Sequence, residues 1–230
     1  MKTAVRMLLI IFGVALIIVG VIMATVLAQD ARARLARANS LAPVTAAEVR
    51  LAGSNRTVLV EGVLSTRNPV LVHNFVAFTR YEYLGEDDDG SDQWDVVERI
   101  TPPLLIEASG LVQLAAQPYR ITGYHAYWQE PTLRSRTFSQ EGSHRYEGLV
   151  PGEMVMTIGT VVRGNEGNEV AAEFVYPGSR DAYVLAQSRA ARWLPVAGFS
   201  AGLTGLVLLV LGSGLVQRLF AIRESEFLVR

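Results

Sequence analysis

The sequence predicts a membrane-anchored, mainly β fold in which two transmembrane α-helices flank a small β-barrel or sandwich of OB-like form. Three observations predict it. Two charge-free apolar runs stand towards the ends of the 230 residues, over residues 7–28 and 193–216. Between them, short β-branched segments alternate with clusters of Gly, Pro, Asn and Asp. The chain is 50% hydrophobic with a mean hydropathy of +0.26, and that excess is concentrated in the two runs. What remains between them is long enough for one compact domain of ordinary size.

The first run, Met7 to Ala28, follows Lys2 and Arg6. At 1.5 Å per residue, about 22 helical residues cover roughly 30 Å of hydrocarbon. Val26-Leu27-Ala28 has the small-residue look of a signal-peptidase site. The apolar core is longer than the roughly 7–15 residues of a signal peptide, however, so an uncleaved anchor is expected.

The second run, Trp193 to Val216, is flanked by Arg189 and Arg192 before it and Arg218 after it. Trp193 stands where interfacial tryptophans collect. Pro195 is expected in the first helical turn, where its missing N–H costs little. Gly198, Gly202 and Gly205 share a helical face, and Gly198-xxx-Gly202 is a small-xxx-small pair that lets backbones approach in lipid. It predicts packing of this helix on the first one, or self-association with a second copy.

Residues 29–56 and 181–192 read as juxtamembrane segments, and 217–230 as a short tail. Asp30 to Ala38 and Asp181 to Arg192 are rich in alanine and arginine, both helix formers, and are expected to continue the membrane helices. Their arginines suit lipid headgroups, which makes membrane lipids the first expected partner.

Residues 57–180 carry the β pattern. Thr57 to Leu64 reads as a strand, as do Val70 to Phe78, Thr79 to Leu84 and Val96 to Ile100. Pro102-Pro103 must interrupt pairing, because proline donates nothing to a ladder. Leu104 to Glu107 and Leu111 to Leu114 form a predicted hairpin about Gly110. Val155 to Val162 and Val170 to Val175 form another about residues 164–168.

Chemistry-bearing patterns are few. The net charge is −1, and nothing suggests the basic face that nucleic acid demands, so no nucleic-acid partner is expected. There is no cysteine, so disulfides, thiolate nucleophiles and cysteine-based zinc sites are impossible. The acidic run Glu86 to Asp92 fails the EF-hand spacing, since Gly85 and Val96 occupy the end positions, and reads as a solvated hairpin tip. His73, His125 and His144 show no metal-ligand spacing, and no nucleophile or phosphate-loop motif is present. No catalytic, cofactor-binding or metal residue is expected, and no cofactor. Asn55-Arg56-Thr57 is a glycosylation sequon. Tyr124, Tyr127 and Trp128 fall in an aromatic stretch suited either to a strand wall or to contact with a partner or membrane.

Four segments give the chain a family likeness. They are Val60-Glu61-Gly62-Val63 with Asn68-Pro69-Val70; Phe78-Thr79-Arg80-Tyr81-Glu82 ahead of Trp94; Pro103 to Glu107 with Ser109-Gly110; and Tyr146-Glu147-Gly148-Leu149-Val150-Pro151-Gly152-Glu153 running into Gly159. In this order, between two apolar helices, they resemble the GIDE domain, also called BAM for "beside a membrane", of membrane-anchored mitochondrial ubiquitin ligases and prokaryotic relatives. The resemblance marks Gly62, Tyr146, Glu147, Pro151, Gly152 and Gly159 as structural motif positions. It implies an extracytoplasmic domain with both termini in the cytosol, whereas the arginines near the spans lean slightly towards a cytoplasmic domain. Ubiquitin transfer in the family belongs to a RING, and this chain has no cysteine to build one. The function expected is a non-catalytic sensory, scaffolding or protein-interaction module of a prokaryotic envelope, with an unidentified membrane or envelope protein as partner. An enzyme component whose groups converge in the fold, and a lipid- or peptide-binding barrel, are the alternatives.

Overall fold

The computed structural model describes residues 3–123, 126–130, 143–164 and 167–213. It forms two compact units: residues up to Arg37 together with those from Val184 onwards, and Ala38–Tyr183.

The first unit is helical. Helix α1 (Thr3–Ile22) passes through a π-helical turn (Met23–Leu27) into α2 (Ala28–Ser40). The whole run of 38 residues and α4 (Arg180–Ser213, 34 residues) are each long and apolar enough to cross a membrane by length and composition. The wide turn sets which side chains face inwards: Leu27 is exposed, and Ala28 and Ala31 are buried. Because α4 starts at Arg180, Pro195 lies inside the helix rather than in its first turn. There it removes the backbone bond to the Ala191 carbonyl.

The second unit begins before the first strand. Thr45 caps α3 (Ala46–Leu51) with a capping box: its hydroxyl accepts from the Glu48 N–H, and the Glu48 carboxylate accepts from the Thr45 N–H at 2.7 Å. Ala46 and Val49 then enter the core. Residues 38–56, read from sequence as part of a stalk, therefore pack into the globular unit from Ala38 on.

The strands are β1 (Thr57–Leu64), β2 (Ala77–Glu86), β3 (Asp92–Ile100), β4 (Leu105–Glu107), β5 (Leu111–Gln113), β6 (Arg120–Ile121), β7 (Ala126–Gln129), β8 (His144–Leu149), β9 (Met154–Arg163) and β10 (Asn168–Pro177). One sheet has the order β5-β4-β1-β9-β10-β6, the other β3-β2-β8-β7. All pairs are antiparallel except β10 with β6. Val58, Val60, Ile106, Val155 and Val170 of the first sheet share a core with Ala77 and Leu149 of the second.

No closed barrel forms among the described strands. The edges β5 and β6 hold three and two residues, too little to carry a ladder round into the other sheet. The strand expected over Val70 to Phe78 is mostly turn. His73 and Asn74 both have positive φ, 46° and 68°, and the Phe75 N–H returns to the Val72 carbonyl at 2.7 Å. That is a type I′ arrangement. Upstream, buried Asn68 donates to the carbonyls of Ser65 and Leu105 and accepts from the Leu105 N–H at 2.7 Å. This holds the chain off any ladder until Ala77.

Candidate functional site

The helical unit is built on glycine. A Cβ added at Gly198 would stand 2.5 Å from the Gly20 carbonyl oxygen, and one at Gly205 would stand 2.5 Å from that of Gly13. At Gly212 it would meet Ile10 at 2.9 Å and the Arg6 carbonyl oxygen at 3.1 Å. The paired numbers fall on one helix as they rise on the other, so α1 and α4 run antiparallel. Gly13 and Gly20 are seven residues apart, as are Gly198, Gly205 and Gly212. A spacing of seven keeps a seam on one side of a helix, and small residues there let backbones touch.

Gly202, which shares the small-xxx-small pair with Gly198, meets the first helix through its backbone alone. A Cβ there would have nothing within 4 Å, although its own N and Cα lie under Gly20. All three glycines singled out in the sequence lie in the packing of α4 on α1: Gly198 and Gly205 through the side where a Cβ would stand, Gly202 through its backbone. Gly202 is the floor of a groove of about 420 Å³ beside the seam.

In the β unit the aromatic candidates separate. Tyr124 lies outside the described residues, as does His125. Tyr127 is 72% exposed on the edge strand β7, and Trp128 is 36% exposed. The Trp128 ring stacks on His73 at 3.5 Å between centroids, and Tyr146 meets His73 edge-on at 4.9 Å. Tyr146 also packs on Phe78, so this cluster joins the 68–76 turns to β7 and β8. The opposite face of the same sheet holds Arg145 over Tyr81 at 4.9 Å and Trp94 at 4.8 Å, with Glu147 at 3.1 Å. Burial, followed by the Glu147 charge, raises the Tyr81 phenol above its ordinary range.

The other motif positions have packing reasons. A Cβ at Gly62 would overlap the Glu107 carbonyl oxygen, and one at Gly159 the Ala171 carbonyl oxygen, opposite the irregularity in β10. Pro151-Gly152 forms a tight turn in which Gly152 has φ +81° and the Glu153 N–H reaches the Val150 carbonyl at 3.3 Å. These are the marks of a type II turn.

Groups that could do chemistry are engaged in structure. Asp87 of the acidic run accepts the N–H groups of Asp89 and Ser91 at 3.0 and 2.9 Å, closing the hairpin tip on itself. His144 pairs with Glu130, whose carboxylate also takes the His144 N–H at 2.9 Å. Tyr119 is buried, which raises its phenol strongly, and it donates to the Pro102 carbonyl at 2.9 Å. No cluster of three or more potential metal ligands occurs among the described residues. No protein-family profile, curated protein or solved structure matches the chain.

Two features go beyond the sequence reading. The seam glycines of α1 carry a signal, the spacing of seven, visible once both helices are compared. The Arg180 clasp carries none: its Nε donates to the Ala38 carbonyl at 3.1 Å and its Nη2 to the Asn39 carbonyl at 3.3 Å. These are the loose carbonyls at the end of α2, and their partner is 142 and 141 residues away.

Proposed function

We propose that the chain is a two-pass integral membrane protein of the GIDE/BAM type that works as a non-catalytic scaffold, sensor or interaction module. Its mainly β unit stands outside the cytosol and both termini lie inside. The glycine seam between α1 and α4 carries the reading. It joins two long helices whose outer faces expose Leu8, Ile11, Phe12, Phe199, Leu203 and Leu206. An apolar surface along two whole helices far exceeds the patches tolerated in water, and hydrocarbon is the solvent that suits it. A first helix packed through Gly13 and Gly20 also favours a retained anchor over a cleaved leader.

The family part rests on the placement of the four segments. They lie on β1, β2, β4 and the β8–β9 connection, and β1–β9, β1–β4 and β2–β8 are hydrogen-bonded neighbours. Tyr127 and Trp128 on the β7 edge are the residues proposed to meet a partner, since exposed aromatics with polar tips suit interfaces.

Because the chain has no cysteine, single-cysteine variants report sidedness directly. Ser91→Cys, at the exposed hairpin tip, is expected to react in intact cells with a membrane-impermeant maleimide. Thr3→Cys is expected to react after permeabilisation alone. The reverse pattern places the β unit in the cytosol, and release of the chain by alkaline carbonate rejects anchoring altogether.

A further inference from the structure

The groove beside the glycine seam continues into a stripe of a second chemistry. On α4, Arg189, Arg192, Val196, Phe199, Leu203 and Leu206 follow one another at intervals of three and four residues, which places them on one face. All six are exposed. Two guanidinium groups head the stripe and four apolar side chains follow. Trp193, next to Arg192, is the kind of residue that sits where headgroups meet hydrocarbon. The lower part of the stripe borders the groove, whose floor is Gly20 and Gly202 and whose far wall includes Ala24 and Thr25 of the π-helical turn. Its volume, about 420 Å³, is that of a small-ligand pocket. The Thr25 hydroxyl is spent on the Val21 carbonyl at 2.6 Å, so the lining offers an occupant little but apolar contact.

We propose that this groove seats one acyl chain of an anionic phospholipid whose headgroup phosphate lies against Arg189 and Arg192. The proposal rests on the membrane-anchored reading and adds a ligand to it. Charge decides between this occupant and a second copy of the chain. Two copies side by side in one bilayer would bring the same arginines of each face to face, a like-charge meeting that opposes association. Among the described residues, the ion pairs on the helical segments, Arg34–Asp30 and Arg180–Asp181, do not include Arg189 or Arg192. A phosphate supplies the missing negative charge, and guanidinium groups bind it in a bidentate way. A flexible acyl chain fills the irregular space left by the missing side chains of Gly20 and Gly202, where two rigid helices in lipid have no hydrophobic drive to close it.

The test uses the full chain in phosphatidylcholine nanodiscs. Each preparation is doped with either phosphatidylglycerol or phosphatidylcholine bearing a photoactivatable acyl chain, and the labelled peptides are mapped by mass spectrometry. Labelling around Thr25, Phe199 and Leu203 should favour phosphatidylglycerol by roughly fivefold or more, the scale set by juxtamembrane cations on an anionic lipid. The double variant Arg189→Gln/Arg192→Gln should bring the two lipids to parity. Gly202→Leu, whose Cβ meets nothing within 4 Å, should remove groove labelling with both lipids while the helices stay paired. Equal labelling by the two lipids in the wild type overturns the proposal, as does groove labelling untouched by Gly202→Leu. Chain-to-chain cross-links through Phe199 overturn it in favour of a second copy. A chain that carbonate strips from membranes rejects the anchored reading instead, so the two failures are distinct.

Discussion

Leucine at Gly198 would drive its side chain into the backbone of α1. The first added carbon would stand 2.5 Å from the Gly20 carbonyl oxygen, 2.7 Å from the Ala24 nitrogen and 2.9 Å from its Cβ. Ordinary contact begins at 3.4 Å, so that carbon alone requires the backbones to part locally by about 0.9 Å. Leucine adds three carbons more, and the obstacles include main-chain atoms that no rotamer change can move. Overpacking of this kind costs about 1–3 kcal/mol. That is roughly a 5- to 150-fold loss in the equilibrium for pairing α1 with α4. Gly205→Leu meets the Gly13 carbonyl oxygen at the same 2.5 Å and should behave alike. Gly202→Leu points into open space and should cost less than about 0.5 kcal/mol. Spin labels on Leu8→Cys and Val210→Cys, read by pulsed electron resonance in nanodiscs, follow the separation of the two helices. A broadened, longer distance for Gly198→Leu and Gly205→Leu beside an unchanged one for Gly202→Leu is the expected result. If Gly202→Leu splays the helices as far as Gly198→Leu does, the seam described above is wrong.

Other perturbations test the β unit. Asn68→Ala takes the acceptor from the part-buried Leu105 N–H and one of two donors from each of the Ser65 and Leu105 carbonyls, and should lower unfolding stability by about 1–3 kcal/mol in denaturant titrations of the full chain. Gly148→Ala places a Cβ onto the Ala77 carbonyl oxygen and the Phe78 backbone, and should abolish folded expression, while Gly53→Ala, which has open space around it and no positive φ, should express. Arg180→Lys keeps the charge but loses the fork that reaches two carbonyls, and should speed amide exchange in the last turn of α2. Glu48 has its pKa lowered from 4.5, first by the Thr45 N–H and then by the Thr45 hydroxyl. Its contribution to α3 is therefore complete above the unfolded value of about 4.5 and fades as pH falls through the lower folded value. Amide exchange over residues 46–51 should accelerate in that acid window, and Glu48→Gln should flatten the pH dependence.

What the sequence makes legible is local. The two helices follow from length and hydropathy, and the hairpins about Gly110 and residues 164–168 follow from turn residues between β-branched runs. The stretch from Val70 to Phe78 misleads because its turns are imposed from outside: Asn68 bonds to Leu105, 37 residues away. Residues 38–56 read as a connector for a similar reason. Their attachment is made by distant residues: the Ala46 N–H donates to the Ala108 carbonyl, and Asn168 donates to the carbonyls of Val49, Arg50 and Ala52 across 116 to 119 residues. Of the two forms expected, barrel or sandwich, the barrel is not formed among the described strands, because strand count is visible in a sequence and edge pairing is not. In the helix pair, Gly198-xxx-Gly202 marks a packing face in the sequence, but its counterpart, Gly20, is fixed by the pair of helices and not by either one.

The π-helical turn at Met23–Leu27 has a consequence for how this chain tolerates insertions and deletions. A π turn is an α-helix that has absorbed one extra residue. At about 100° per residue, Gly20 and Ala28 would lie about 80° apart in a regular helix, and the extra residue brings them back into line. Removing one residue from Met23–Leu27 should therefore relax the turn to ordinary helix and keep Gly13, Gly20 and Ala28 in register. Removing one residue between Gly13 and Gly20 should rotate one glycine out of line with the other. Length variation in this helix thus has a permitted address, and a survey of single-residue deletions along residues 8–36 should find its tolerant positions clustered there.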